Sequence, residues 1–197
     1  NPLKYAKITS TIGPNTYCPQ AVTPMTNQKS DILSGISSMV AAGNTHVNFG
    51  ADWAWRMLSP KWRGLWGGTM NANNLPLDYG TEDMQKVVVL LTDGQNTMSN
   101  STRTSYWYLS DNKLGTTNSS KAVDELDKRT LAVCNAMKAK GIVIYTILYD
   151  LVDHDIENLY KACATKPEYF FSSPDYATLH AAFQTIGDSL SNLRISK

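Results

Sequence analysis

The chain has 197 residues, of which 42% are hydrophobic, and a formal net charge of +1. This length is enough for one sizeable hydrophobic core, so we expect a single domain over residues 1–197. No basic run occurs, which argues against a nucleic-acid partner, and the longest apolar runs are far below the roughly 20 residues of a membrane-spanning helix.

Helical periodicity dominates the first part of the chain. Residues 26–42 place their apolar side chains on one stripe and are followed by Gly43, a natural helix end. A second helix is predicted from about Thr45 to Leu58, ended by Ser59-Pro60. Residues 61–83 are rich in Trp, Gly, Asn and Pro and predict an ordered loop.

The run Val87–Leu91 is the clearest strand signal, since its five apolar residues suit a strand buried on both faces of a parallel sheet. Thr92-Asp93-Gly94 follows, which places Asp93 at the carboxyl end of that strand. Ligands bind at this edge of open α/β sheets, and a carboxylate there can hold a hard cation.

The second half of the chain continues the alternation of predicted helices and strands. A long polar loop at 95–119 contains Tyr106, Trp107 and Tyr108, and a loop of this length is usually functional or mobile. Beyond it we predict helices at 120–140, 155–164 and 175–193 and strands at 142–148 and 169–171. The pattern indicates an α/β fold with a doubly wound, mostly parallel sheet flanked by helices.

The sequence contains an odd number of cysteines. Cys134 and Cys163 lie in two predicted helices with a strand between them, so packing of these elements side by side would allow a disulfide. Cys18 would then be free or bonded outside this chain. The alternative is three buried thiols in a cytosolic protein.

An ordered set of motifs resembles the von Willebrand factor A (VWA) family, and within it the TadG-like proteins of Flp/Tad pilus assembly. The matching stretches, which together cover nearly the whole chain, are Cys18-Pro19, Thr23-Pro24-Met25-Thr26, Gly43-Asn44-Thr45, residues 53–62, Thr92-Asp93-Gly94-Gln95-Asn96, Cys134, residues 141–147, Cys163 and residues 183–196.

The resemblance implies a metal-ion-dependent adhesion site. In the family, one loop supplies Asp-x-Ser-x-Ser, a second supplies a Thr and a third supplies an Asp; Thr45 matches the second position and Asp93 the third. Mg²⁺, or Mn²⁺ or Ca²⁺, would bind these oxygens and leave one position open for a partner's acidic residue. The candidates for contact with that ligand are Asn44, Gly94, Asn96, Tyr106 and Trp107.

One part of the family pattern has no counterpart, because no Asp-x-Ser-x-Ser follows a strand upstream of Thr45. In the family, the first strand and its helix precede the stretch that begins near Asn1, and that strand is central in the sheet. Without it the sheet would expose apolar edges. We therefore expect a companion N-terminal segment of the same domain, with Cys18 a candidate for bonding to it.

The resemblance implies a protein-binding module for assembly or anchoring of a Tad-type adhesive pilus, located in the periplasm, at the outer membrane or on the cell surface. A surface adhesin for a host or matrix ligand is the alternative among binding proteins, and a structural subunit that binds no metal also remains open. A metal-dependent hydrolase built from His46 and Asp93 is the alternative of another class. We expect that the chain is not an enzyme, because its sequence contains no catalytic Gly-x-Ser-x-Gly motif and no phosphate-binding glycine loop.

Overall fold

The computed structural model describes residues 18–151 and 153–192 of the chain. These residues form helices and strands in the following order: α1 (Lys29–Ser37), α2 (Val47–Leu58), α3 (Gly68–Ala72), β1 (Val87–Thr92), α4 (Ser119–Lys138), β2 (Val143–Tyr149), α5 (His154–Cys163), β3 (Phe170–Ser173) and α6 (Tyr176–Asn192). Short 3₁₀ turns lie at Pro60–Trp62, Leu109–Asp111 and Pro167–Tyr169.

The predicted order of the large elements is confirmed, with differences at their ends. Helix α1 is much shorter than the predicted 26–42, and α2 begins two residues after Thr45. The loop predicted at 61–83 contains part of a 3₁₀ turn and α3. Helix α5 begins at His154, one residue before its predicted start, and the Asp153 carboxylate caps it by accepting hydrogen bonds from the N–H groups of Asp155 and Ile156. The predicted last residue of the final helix, Leu193, lies outside the described residues.

The described residues belong to two compact units. The first comprises residues 18–46 and 96–126, and the second comprises residues 47–95 and 127–192 apart from residue 152. The expectation of a single domain over the whole chain stays a prediction. The sheet lies entirely in the second unit.

The second unit contains a parallel sheet with the strand order β1-β2-β3. On one face, Val88, Leu90 and Ile144 form the core with residues from helices α2, α4 and α5: Ala51, Cys134, Met137 and Cys163. On the opposite face, Tyr145 and Ile147 pack against Ala182 and Ile186 of α6. Helices on both faces of a parallel sheet confirm the α/β fold class.

A disulfide joins Cys134 of α4 to Cys163 of α5, with the two Cα atoms 5.2 Å apart. Both residues are fully buried in the core of the second unit. The predicted pairing is therefore confirmed. Cys18 is exposed and free, and its bonding to a companion segment stays a prediction.

The first unit is organised differently, around one small hydrophobic cluster. Its buried members come from the loop at 95–119 and the first part of α4: Met98, Leu109, Leu114, Ala122 and Leu126. The long polar loop is thus folded around its own apolar residues. Helix α1 buries no residue, and the apolar residues predicted to form one stripe over 26–42 are exposed, three of them in α1 and two after it: Ile32, Leu33, Ile36, Met39 and Val40.

Within the described part of the chain, none of the helices combines the length and the apolar composition that crossing a membrane requires.

Candidate functional site

Asp93 follows the last residue of β1 and has an exposed side chain. A tight turn holds this position, because the Thr92 hydroxyl donates to the Gly94 carbonyl at 2.9 Å and accepts from the Gly94 N–H at 3.2 Å. The Thr92 side chain therefore fixes the end of β1. The neighbouring Asp93 carboxylate has no hydrogen-bond partner among the described residues. Asp93 is available to a cation or to a basic group of a ligand.

A buried tyrosine lies behind this turn. Burial raises the pKa of Tyr160 well above its usual range; Thr92 acts in the opposite direction through its hydroxyl, and the charge of Asp127 raises the pKa further. The Tyr160 carbonyl accepts a hydrogen bond from the Thr146 hydroxyl of β2 at 3.0 Å. Tyr160 therefore stays protonated and is buried beside the end of β1.

In the first unit, residues 44–46 are bound to residues 97–99 by hydrogen bonds. The Thr45 N–H donates to the Thr97 hydroxyl at 2.9 Å, and the Thr97 N–H donates to the Thr45 carbonyl at 3.0 Å. Asn44 uses both ends of its amide, since it accepts from the Thr97 hydroxyl and donates to Ser99 Oγ, each at 3.3 Å. These bonds position the exposed side chain of Thr45.

His46 is held in one tautomer by two partners of the first unit. Its Nε2 lies 3.1 Å from the Thr97 carbonyl oxygen, which can only accept, so Nε2 carries the proton. Its Nδ1 then accepts from the Ser105 hydroxyl at 3.2 Å. Burial lowers the pKa of His46, partly opposed by the Thr97 carbonyl. The imidazole is therefore neutral near pH 7.

The aromatic ligand-contact candidates lie in a turn closed by two hydrogen bonds of 3.0 Å between Thr104 and Trp107. Trp107 has a φ of 63° and is 53% exposed, with the Arg103 guanidinium 5.1 Å from its ring centre. Tyr106 is half-buried, with its ring 5.5 Å from that of His46. Trp107 is the more accessible of the two aromatic side chains.

The remaining candidates differ in accessibility. Asn96 is only 2% exposed, so its side chain is part of the interior, whereas Gly94 is half-buried in the turn after β1. The side-chain amide of Asn44 is hydrogen-bonded to Thr97 and Ser99 within the first unit. The roles of these residues in binding stay predictions.

The predicted cation ligands do not by themselves make a complete metal site. Thr45 belongs to the first unit and Asp93 to the second. Among the described residues, no group of three or more His, Cys, Asp or Glu side chains could hold a metal ion. Because Mg²⁺ takes about six oxygen ligands, one hydroxyl and one carboxylate leave most of the coordination to water or to other residues.

Sequence reasoning missed the partners of His46. Thr97 and Ser105 lie 51 and 59 residues away from it along the chain. Hydroxyl residues are common in polar loops, and no local periodicity links residues so far apart. The only sequence signal was the concentration of Ser and Thr in the loop at 95–119.

No family model and no curated protein matches this sequence. Among solved structures, the chain is similar to the vWF domain of the type V pili tip protein Mfa5 from Porphyromonas gingivalis. The TM-score is 0.55 at 15% identity, and the match covers 85% of this chain and 74% of that chain. The chain therefore has the α/β fold of a von Willebrand factor A domain.

A second likeness is more distant. Proximal thread matrix protein 1 from the mussel byssus, in crystal form 2, matches 81% of this chain at 19% identity with a TM-score of 0.43. This chain spans 28% of the length of that protein. Such a low TM-score carries no argument about function.

Proposed function

We propose that this chain is a protein-binding module of the bacterial envelope that takes part in the assembly or anchoring of a Tad/Flp-type pilus. The observation that carries the proposal is the fold, which is similar to the vWF domain of a pilus tip protein. The ordered motifs that resemble TadG-like proteins support the more specific pilus role.

The disulfide supports a location outside the cytoplasm. Cys134 and Cys163 are joined and fully buried, and structural disulfides persist mainly in oxidising compartments such as the periplasm or the cell surface. We therefore place the module in the periplasm, at the outer membrane or on the cell surface.

The proposed binding surface is centred on Asp93. Its carboxylate is exposed at the carboxyl end of β1, on a turn fixed by Thr92. We propose that it binds Mg²⁺, or Mn²⁺ or Ca²⁺, together with oxygen ligands from outside the described residues. A partner's Asp or Glu would occupy an open position of that cation.

The test uses the natural bacterium with the gene deleted and restored as wild type, as Asp93→Ala or as Asp188→Ala. Asp188 is an exposed carboxylate on α6 and serves as the matched control. We expect the deletion to abolish surface pili counted by electron microscopy, Asp93→Ala to reduce them strongly, and Asp188→Ala to leave them at the wild-type number.

The same strains and the purified protein distinguish the alternatives. Normal pili with lost attachment to host cells or matrix would indicate a surface adhesin instead. If Asp93→Ala restored the wild-type number of pili in the deletion strain, the chain would be a structural subunit that binds no metal. Turnover of a small ester or phosphate substrate by purified protein, abolished by a chelator, would indicate a metal-dependent hydrolase.

A further inference from the structure

Ser105 and His46 of the first unit form a hydroxyl–imidazole pair. The exposed Ser105 hydroxyl donates to His46 Nδ1 at 3.2 Å. On the other side of the ring, His46 Nε2 lies 3.1 Å from the Thr97 carbonyl oxygen. A serine bonded to a base, with that base oriented by a third group, is the arrangement that activates a serine for nucleophilic attack. Here the Thr97 carbonyl is the orienting group.

A tight turn fixes the main chain around Ser105. Thr104 and Trp107 exchange two main-chain hydrogen bonds of 3.0 Å across it. The Thr104 hydroxyl accepts from the Tyr106 N–H and donates to the Trp107 carbonyl, each at 3.0 Å. Among the described residues, none accepts a hydrogen bond from the Ser105 N–H. That N–H is therefore available to the negative oxygen that forms when an acyl carbon is attacked.

His46 has the protonation state that a general base requires. Its ring is half-buried and lies 5.5 Å from the ring of Tyr106. Burial lowers the pKa of His46, and the hydrogen bond to the Thr97 carbonyl opposes this shift in part. Near pH 7 the imidazole therefore keeps a free electron pair on Nδ1, and the Ser105 hydroxyl donates to that pair.

We propose that Ser105 is a nucleophile activated by His46 and that this pair hydrolyses small esters. The Ser105 oxygen bonds to the acyl carbon while its proton passes to His46 Nδ1. The bond between the acyl carbon and the alcohol oxygen then breaks, and the alcohol leaves with that proton. Water next gives a proton to the same Nδ1 and attacks the acyl carbon. The carboxylic acid leaves, and Ser105 regains its proton from His46.

The surroundings of Ser105 favour esters with an aromatic or apolar group. Trp107, at the end of the same turn, is 53% exposed, and the Arg103 guanidinium lies 5.1 Å from its ring centre. An exposed indole offers a large apolar face to an aromatic ring. The sequence motifs that argue against an enzyme do not detect this pair, because 59 residues separate Ser105 from His46.

The first test is covalent labelling of the purified chain with a fluorophosphonate, a reagent that forms a bond to the oxygen of activated serines. Peptide mass spectrometry compares the labelling rates of two serines in one sample. Ser110 is the internal control, because it is an exposed serine of the same loop. We expect Ser105 to react at least about 100-fold faster than Ser110, since only Ser105 is bonded to a base.

The second test is hydrolysis of p-nitrophenyl acetate by the purified chain. Ser105→Ala should abolish the hydrolysis, and the matched Ser110→Ala should keep the wild-type rate. His46→Gln should lower the rate at least about 100-fold, because a general base contributes about that factor or more. The chelator EDTA should leave the wild-type rate unchanged, which separates this activity from that of a metal-dependent hydrolase.

Amide hydrogen exchange shows whether His46→Gln keeps the local structure. The Thr45 N–H donates to the Thr97 hydroxyl at 2.9 Å, so its exchange should stay slow in a folded variant. If that protection is lost, the wild type and the two serine variants decide alone.

The proposal would be overturned by equal labelling of Ser105 and Ser110, or by an unchanged rate of ester hydrolysis in Ser105→Ala. Wild-type labelling of Ser105 in a folded His46→Gln variant would equally overturn it, because His46 would then not be the base. None of these results bears on the pilus role, which is tested separately with Asp93→Ala.

Discussion

The two units of the chain obtain their structure from different interactions. The second unit buries apolar residues on both faces of a parallel sheet and is cross-linked by a disulfide. The first unit has one small apolar cluster, and its segments 44–46 and 97–99 are joined by hydrogen bonds of short polar side chains. Hydrophobic burial and a cross-link contribute several kcal/mol each, whereas single hydrogen bonds contribute about 1 kcal/mol.

The two units also differ in the candidate binding residues that they carry. The sheet of the second unit ends next to the exposed Asp93, and the polar loop of the first unit carries the 53% exposed Trp107. Binding residues are commonly carried by loops on a rigid scaffold.

The largest effect is expected from removing the disulfide. Cys134→Ala with Cys163→Ala releases a cross-link between residues 29 positions apart. It should lower the free energy of unfolding by about 3–4 kcal/mol, measured by urea denaturation. Cys18→Ala, at the exposed free cysteine, is the control and should have no effect. A loss below about 1 kcal/mol in the double variant would contradict the role given to the cross-link.

Alanine substitutions at two neighbouring leucines of β1 should differ strongly in their effect on the free energy of unfolding. Leu90 is 8% exposed and Leu91 is 50% exposed. Leu90→Ala leaves a cavity in the core and should cost about 2–4 kcal/mol in the free energy of unfolding. In the isolated chain, Leu91→Ala should cost less than about 1 kcal/mol. Equal losses in urea denaturation would mean that the two faces of β1 are equally covered in solution.

A smaller effect is expected from a polar bond of the first unit. Thr97→Val removes the hydroxyl that accepts from the Thr45 N–H at 2.9 Å. The loss of about 1 kcal/mol should appear as roughly fivefold faster exchange of the Thr45 amide. Thr117→Val, at an exposed threonine of the same loop, should leave that rate unchanged. Unchanged exchange in Thr97→Val would show that this bond does not hold the segment.

The smallest effect is a pH dependence from His46. Burial holds its folded-state pKa below the unfolded value of 6.5. As the pH falls below about 6.5, the unfolded chain binds a proton that the folded chain does not, so the free energy of unfolding decreases until the folded pKa is passed. His46→Gln should show a shallower decrease between pH 7 and pH 5. Identical slopes would mean that His46 has the same pKa in both states.

Much of the second unit could be predicted from the sequence, because its signals are local. The five apolar residues before Thr92 define β1, and apolar spacing defines α4 and α6. The expected packing of two helices beside one strand allowed the disulfide but left three buried thiols as the alternative. Element ends were less predictable: α1 is shorter than its apolar stripe because none of its residues is buried in the described structure.

The sequence by itself determined the α/β class and the position of Asp93 after β1, whereas the pairing of Cys134 with Cys163 was one of two alternatives until the structure decided it. The first two features depend on residue spacing of 2 or 3.6 and on short connections, which a single sequence displays. Only the tertiary structure decided that Ser105 and Thr97 hold His46 and that Leu91 is exposed while Leu90 is buried. The reason is physical: contacts between residues far apart in the chain, and coverage of one face of a strand, depend on packing that local patterns do not encode.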